Sequence, residues 1–158
     1  HDRIGFSVLR NLRKSKKRIL IIDYNPEMIS KLVKEGYHCI YGEVNDDEII
    51  DRMNLKHIKM LISTVPDVKD NLHLIKKVRA ANKKAKVIVT ASKVEEALRF
   101  YKLGADYVVL PHFLGGEHVA GMISDFRARK IKLKDTRLDH IKHLEERREL
   151  GHEHPKES

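Results

Sequence analysis

Arg3, Gly5 and Asp23, in the first 23 residues, are of the types and at the spacing that handle a nucleotide. Arg3-Ile4-Gly5 sits at the mouth of a helical pattern, and Asp23 closes a strand-like run 18 residues after Gly5. A glycine there lets a phosphate approach the N–H groups of a helix N-terminus. An acid at the end of the next strand accepts hydrogen bonds from ribose hydroxyls. The match to a G-x-G-x-x-G loop is partial: Asp2 stands where the second glycine belongs, and the first would precede His1. The same residues also admit a purely structural reading, in which Gly5 permits close helix-to-sheet packing and Asp23 caps the helix after Pro26.

Ten histidines invite a metal reading. His140 and His143 are one turn apart, His152 and His154 flank Glu153, and His112 and His118 flank Gly115-Gly116 beyond Pro111. A zinc site needs three or four convergent ligands and supporting partners, which paired spacing on a helix does not supply. No metal is expected. Hydride chemistry would need a substrate-positioning domain and a proton-handling residue, and no Tyr-x-x-x-Lys pair exists. A binding module, not an enzyme, is the expectation.

The elements that must position these residues alternate along the chain. Residues 18–23, 38–41, 59–65, 86–91 and 107–110 are short, rich in Ile and Val, and read as strands. Their apolar character is continuous, which predicts burial on both faces of a parallel sheet. Helical stretches lie between them: 26–35, opened by Asn25-Pro26 and stopped by Gly36; 46–53, opened by Asp46; 67–83; and 94–103, stopped by Gly104. The fold class is therefore α/β with a parallel sheet. Residues 4–14 carry Ile4, Val8 and Leu12 at helical spacing, so a helix comes before any strand. A doubly wound fold places a strand before that helix, and a first strand upstream of His1 is expected.

The chain has 158 residues, 41% hydrophobic and 35% charged, which fits one globular core. A single cysteine, Cys39, reads as a small buried hydrophobe in an intracellular protein. No apolar run is of bilayer length, and no signal peptide is expected. The net charge of +9 is concentrated at the ends: residues 1–18 hold seven Lys/Arg against one acid, 19–126 fifteen against fifteen, and 127–158 ten against seven. Without Trp, and with 6% aromatics, the base-stacking set of a nucleic-acid binder is missing. No nucleic-acid partner is expected, and a positive rim facing an anionic ligand or membrane surface fits equally well.

A response-regulator receiver shares this layout. RILIIDYNPE, VIVTAS and EEALRFYKLGADYVVLP resemble its first strand, signalling strand and last helix-strand unit. The phosphoryl chemistry is missing: Tyr24 follows Asp23, the strand at 59–65 ends Ser63-Thr64-Val65 without an acceptor Asp, and Leu110 replaces the Lys before Pro111. A degenerate receiver acting as a protein-interaction module is the alternative reading.

Five pieces in order, HDRIG before a helix, ILIIDYNPE, GEVNDDEI, MLISTVPDVKDNL and GADYVVLPHFLGGEHVA, make residues 1–123 resemble the RCK or KTN (TrkA-N type) regulatory domains of potassium channels and transporters. The likeness is greatest to the cytosolic domain of Kef-type potassium or sodium/proton antiporters. The resemblance implies a Rossmann-like dimer, with helices on both sheet faces, that binds an adenine nucleotide and regulates a membrane ion pathway at the cytoplasmic face of the membrane. The implied ligand is AMP or NAD(H), with ATP as a further candidate. It places Asp2, Arg3, Ile4 and Gly5 on the phosphate loop, Asp23, Tyr24 and Asn25 at the ribose, Gly42, Glu43 and Val44 near the adenine, and Thr64-Val65 beside the nucleotide. Asp67 and Asn71 match family positions at the next helix start. Asp2 for glycine and Ser92 for the family's Arg are departures, and no second C-terminal ligand domain is expected.

After Gly115-Gly116 the sequence turns helical, with Val119, Met122, Ile123 and Phe126, then Leu138, Ile141 and Leu144, as an apolar stripe. The expected organisation is a nucleotide domain over 1–113, crossover or dimerisation helices over 114–150, and a polar tail over 151–158. The stripe suits either its own domain or a second subunit.

Overall fold

The computed structural model describes residues 3–12 and 17–149. In chain order the elements are α1 (Arg3–Leu12), β1 (Leu20–Asp23), α2 (Pro26–Lys34), β2 (His38–Tyr41), α3 (Asp47–Arg52), β3 (Met60–Ser63) and α4 (Val68–Ala81). They continue with β4 (Lys86–Thr90), α5 (Val94–Lys102), β5 (Tyr107–Val109), α6 (Pro111–Arg127) and α7 (Leu133–Glu149). The β-α alternation expected from the sequence is present, with element ends shifted by one or two residues. The chain divides into two compact units, His1–Pro111 and His112–Ser158.

In the first unit every strand pair is parallel, but the strands fall into two pieces. β1 pairs with β2, in a register that sets Asp23 against Tyr41, while β3, β4 and β5 pair in that order. Burial follows the pairing. In β4, flanked on both edges, Val87 and Val89 are fully buried, whereas β1 and β3, each paired on one edge, are mostly half-buried. This corrects the expectation that every strand is buried on both faces: a strand loses its solvent only when neighbours cover its edges as well. Cys39, expected to be buried, is half-buried for the same reason, and partial desolvation pushes its thiol up from the usual value.

One core serves both pieces. Ile40, Ile49, Ile50, Leu74, Ile75, Val78, Val87, Val89, Phe100 and Val108 are buried together, with Ile22 and Leu61 packed against them. Helix boundaries follow the capping chemistry. The Asn25 side chain accepts from the N–H groups of Glu27 and Met28 with Pro26 in the first turn, and Asp46 and Asp67 cap α3 and α4 in the same way. Gly36, just beyond the end of α2, holds a φ of 88°, which a side chain would strain. α6 begins at Pro111 and continues through Gly115-Gly116 rather than after them.

Opposite the strands' carboxyl ends, a polar clamp joins α4 to β4 and β5. The Arg79 guanidinium donates to the carbonyls of Gly104 (2.8 Å) and Ala85 (2.6 Å) and to Asp106 Oδ2 (2.7 Å). The same Asp106 oxygen accepts the Val87 N–H at 2.8 Å, and Lys86 lies 3.2 Å from Oδ1. The Val87 N–H, foremost, and the two cations hold the Asp106 carboxyl below the usual carboxylate range against partial desolvation. A folded-state pKa depressed in this way stabilises the protein above the unfolded-state pKa of about 3.9 and loses that contribution as pH falls through the folded value. Asp106→Asn should therefore lower the melting temperature at pH 7, and the gap to the parent should close as melts are taken down from pH 4 to pH 2.5. A gap that stays constant over this range would contradict a role for the charge.

Candidate functional site

The carboxyl ends of parallel strands, with the loops that follow them, are where open α/β sheets bind ligands. At the end of β1, Asp23 Oδ1 accepts the Asn25 N–H at 2.8 Å, while Asn25 Oδ1 accepts from Glu27 at 2.9 Å and from Met28 at 3.2 Å. Asn25, not Asp23, caps α2, so the purely structural reading of Asp23 as a helix cap fails. The second Asp23 oxygen has no hydrogen-bond partner among the described residues. A half-buried carboxylate with one oxygen fixed and one open can accept from a vicinal diol.

The end of β2 lies beside it. The Gly42 N–H donates to the Asp23 carbonyl at 3.1 Å, continuing the ladder one residue past the Asp23–Tyr41 pair. A Cβ on Gly42 would lie 2.5 Å from Cδ1 and 2.7 Å from Cγ1 of the buried Ile49, so the close approach of α3 demands glycine here. Glu43 is exposed and Val44 packs partly on the core. Tyr24 and Tyr41 are 65% and 60% exposed, so two aromatic rings stand in solvent at the strand ends flanking Asp23. Tyr41 comes to the Asp23 strand end only through strand pairing. Its signal was the register, which needs the pairing of β1 with β2.

At the end of β3, Thr64 and Val65 are half-buried in a turn fixed from beneath by Asn71. The Asn71 amide is fully buried. Its nitrogen donates to the carbonyls of Val65 (2.8 Å) and Asp67 (3.1 Å) and reaches that of Thr90 (3.4 Å), and its oxygen accepts the Ser63 hydroxyl at 2.6 Å. Thr90 Oγ1 also donates to the Ser63 carbonyl at 3.3 Å. Asp67 is committed to capping α4 through the N–H groups of Lys69 and Asp70. The Ser92 and Lys93 N–H groups are taken by Glu96.

The structure thus joins Asp23, Tyr24 and Asn25 to Gly42, Glu43 and Val44 in one cluster, and anchors Thr64-Val65 to Asn71 in another. Gly5 lies half-buried in the first turn of α1. Arg3 and Ile4 belong to that turn, but their side chains, and Asp2 altogether, lie outside the described residues. His112 and His118 are both exposed on α6, and among the described residues no group of three His, Cys, Asp or Glu side chains could hold a metal ion.

A model of the TrkA-N domain matches residues 1–111. Potassium channel protein 1 of Methanocaldococcus jannaschii is 24% identical over 122 residues, covering 76% of this chain and 37% of that protein. The glutathione-regulated potassium-efflux system protein KefC of Cronobacter sakazakii is 24% identical over 120 residues, covering 76% of this chain and 19% of its own length. The chain thus spans well under half of either relative. Among solved structures, the TrkA-N domain of the Escherichia coli inner membrane protein ybaL superposes with a TM-score of 0.71 at 22% identity, covering 76% of this chain and 89% of that one. The GsuK channel bound to NAD superposes at 0.60 and 20% identity, over 70% of this chain and 20% of that one. These likenesses show the same α/β fold. Nothing in them favours the receiver alternative.

Removing a buried amide that serves four partners leaves carbonyls and a hydroxyl without hydrogen bonds, each costing about 1 to 3 kcal/mol. Asn71→Ala should lower unfolding free energy by at least about 2 kcal/mol in urea titrations. A loss below about 0.5 kcal/mol would mean that the turn at Thr64-Val65 does not depend on it.

Proposed function

The chain belongs to the TrkA-N domain family, and from that premise we propose that it is an adenine-nucleotide-binding regulatory domain of a potassium or sodium/proton transport system, acting by binding rather than catalysis. The observation that carries the proposal is the half-open Asp23 carboxylate, held by the Asn25 N–H beside the Gly42 turn and between two exposed tyrosines. The ribose diol would donate to the open Asp23 oxygen, and the adenine would lie along Glu43 and Val44 with Tyr24 and Tyr41 at its rim. Thr64-Val65 would line the other side. The phosphate would sit at the N-terminus of α1 with Arg3, where the helix dipole and free N–H groups favour an anion.

Asp2 selects the ligand. A side chain where a dinucleotide loop has glycine crowds the pyrophosphate, and a carboxylate there repels it. Asp23 likewise repels a 2′-phosphate. AMP should therefore compete well with NAD(H), with ATP acceptable and NADPH poorest. The NAD-bound and ADP-bound structures of the GsuK channel support an adenine nucleotide in general.

In the second unit, α6 buries no residue: Phe113, Leu114, Val119, Ile123 and Phe126 are all exposed. An apolar helix surface of this extent is most simply covered by a second copy across a twofold axis. Ligand binding would shift that dimer between two arrangements, limited by the ligand's differential affinity for them, typically about 1 to 3 kcal/mol. The membrane-embedded part of the transport system would be the partner, and the domain would then lie at the cytoplasmic face of the membrane. No described helix is long and apolar enough to cross a membrane.

Loss of a charged acceptor costs about 1.5 to 3 kcal/mol, so Asp23→Ala should weaken AMP binding at least tenfold by calorimetry. Equal affinities would remove Asp23 from the site. Thermal shifts should rank AMP at or above NADH and both above NADPH, since a ligand at a hundred times its dissociation constant adds about 2.7 kcal/mol of stability. A clear NADPH preference would overturn that ranking. In light scattering the parent should be a dimer that Ile123→Glu with Phe126→Glu converts to a monomer; a monomeric parent would refute the dimer.

A further inference from the structure

The turn between α6 and α7 carries charge that its own helices do not use. Residues 127–134 (RARKIKLK) hold five cations and no acid, and Arg137 adds a sixth against Asp135. Arg127, Arg129, Lys130, Lys132, Lys134 and Arg137 are all exposed, and among the described residues none of them forms an ion pair. Half of the cluster has a local reason: cations beside the last turn of α6 complement the negative end of the helix dipole. Even there, Arg129 holds a φ of 56°, in the left-handed region that favours glycine. Its N–H and that of Lys130 close the helix on the carbonyls of Phe126 (3.0 Å) and Asp125 (2.9 Å). The other half runs against the local physics. Lys132 precedes the first residue of α7 and Lys134 lies in its first turn, at the positive end of that helix dipole. An ammonium cannot accept from the free N–H groups there as Ser, Thr, Asp or Asn would. Apolar side chains are interleaved with these cations: Leu133 is 46% exposed and Leu138 58%.

We propose that this turn docks on the surface of an anionic lipid bilayer, its cations among the headgroup phosphates and Leu133 at the boundary with the acyl chains. Cationic and apolar side chains exposed together suit a surface that is negative outside and apolar within. Free phosphate would use the charges and leave Leu133 in water. Nucleic acid fits less well, because the second unit has no Trp or Tyr to stack on a base and only Phe113 and Phe126 as aromatics. Each Lys or Arg brought near an anionic membrane strengthens binding about fivefold, over a reach of about 8 Å at physiological salt. The proposal concerns the second unit alone and rests neither on the nucleotide reading nor on the dimer.

The test titrates the 158-residue chain with vesicles of equal parts phosphatidylglycerol and phosphatidylcholine, read by flotation, against vesicles of phosphatidylcholine alone. The chain should bind the anionic vesicles only, and binding should fall as salt is raised. Lys132→Asn with Lys134→Gln should weaken it at least about tenfold without lowering helix content by circular dichroism. Lys83→Gln with Lys84→Gln removes the same charge from exposed positions ahead of β4 and should leave binding within about twofold. Since the chain has no Trp, Leu133→Trp supplies a single reporter, whose emission should shift to the blue on the anionic vesicles. Equal weakening by both lysine pairs would reduce the effect to net charge and overturn the proposal. So would no binding to anionic vesicles, equal binding to neutral ones, or a bound chain whose reporter stays in water. A fall in helix content on losing Lys132 and Lys134, or tighter binding to a mixed-sequence DNA duplex than to the vesicles, would overturn it as well.

Discussion

The fully buried side chain of Asn71 is the contact on which the ordering of the first unit turns. It stands in the first turn of α4 on the stripe that Leu74, Ile75 and Val78 continue, and it ties the ends of β3 and β4 to that helix through the Val65 and Thr90 carbonyls and the Ser63 hydroxyl, besides bonding the Asp67 carbonyl of the helix's own cap. The last turn of the same helix carries Arg79, which reaches the starts of β4 and β5 through Ala85, Gly104 and Asp106. The Asn82 amide, at the C-cap, collects the carbonyls of Leu55, Lys56 and Ile58 ahead of β3. α4 is thus pinned at both ends by polar groups and between them by apolar packing. Burial of the stripe sets the helix against the sheet, and the pins set its position along the strands, because hydrogen bonds are directional where apolar contact is not.

The candidate site inherits its geometry from this frame and from the β1–β2 pair. Val65 cannot shift without breaking the bond from the Asn71 amide to its carbonyl. Asp23 cannot swing freely while one oxygen holds the Asn25 N–H and its carbonyl holds Gly42. What is left open is one carboxylate oxygen and two exposed aromatic rings, which on the proposed reading would meet a ribose and a base. On the proposed reading the domain acts by binding, through a set of acceptors and donors held in place.

Much of the fold was legible in the sequence because its punctuation has a local cause. Asn25-Pro26, Asp46 and Asp67 open helices by capping, Gly36 and Gly104 end them, and short Ile/Val runs between them could only be strands. The local geometry of the candidate site, Asp23 at a strand end with Asn25 capping the next helix, was legible for the same reason. Tyr41 was not, since its place beside Asp23 depends on register, a relation between strands that no single segment encodes. Asn71 carried a readable signal, a polar residue at a core position of the 71-74-75-78 stripe, but its partners come from three different elements. The two-piece sheet was also beyond the apolar pattern: Ile21, Ile22 and Ile62 read as buried residues, and only the pairing shows which edges lack a neighbour.

The central claim is that ligand contacts gather at the carboxyl ends of β1, β2 and β3. Titration with AMP, followed by backbone amide chemical shifts over the first unit, tests it most directly. Saturable shifts are expected at Asp23–Asn25, Gly42–Val44 and Thr64–Val65 and in the first turn of α1, with Val87, Gly104 and Asp106 at the opposite end unmoved. Shifts centred on that opposite end, or none at any residue under saturating nucleotide, would contradict it.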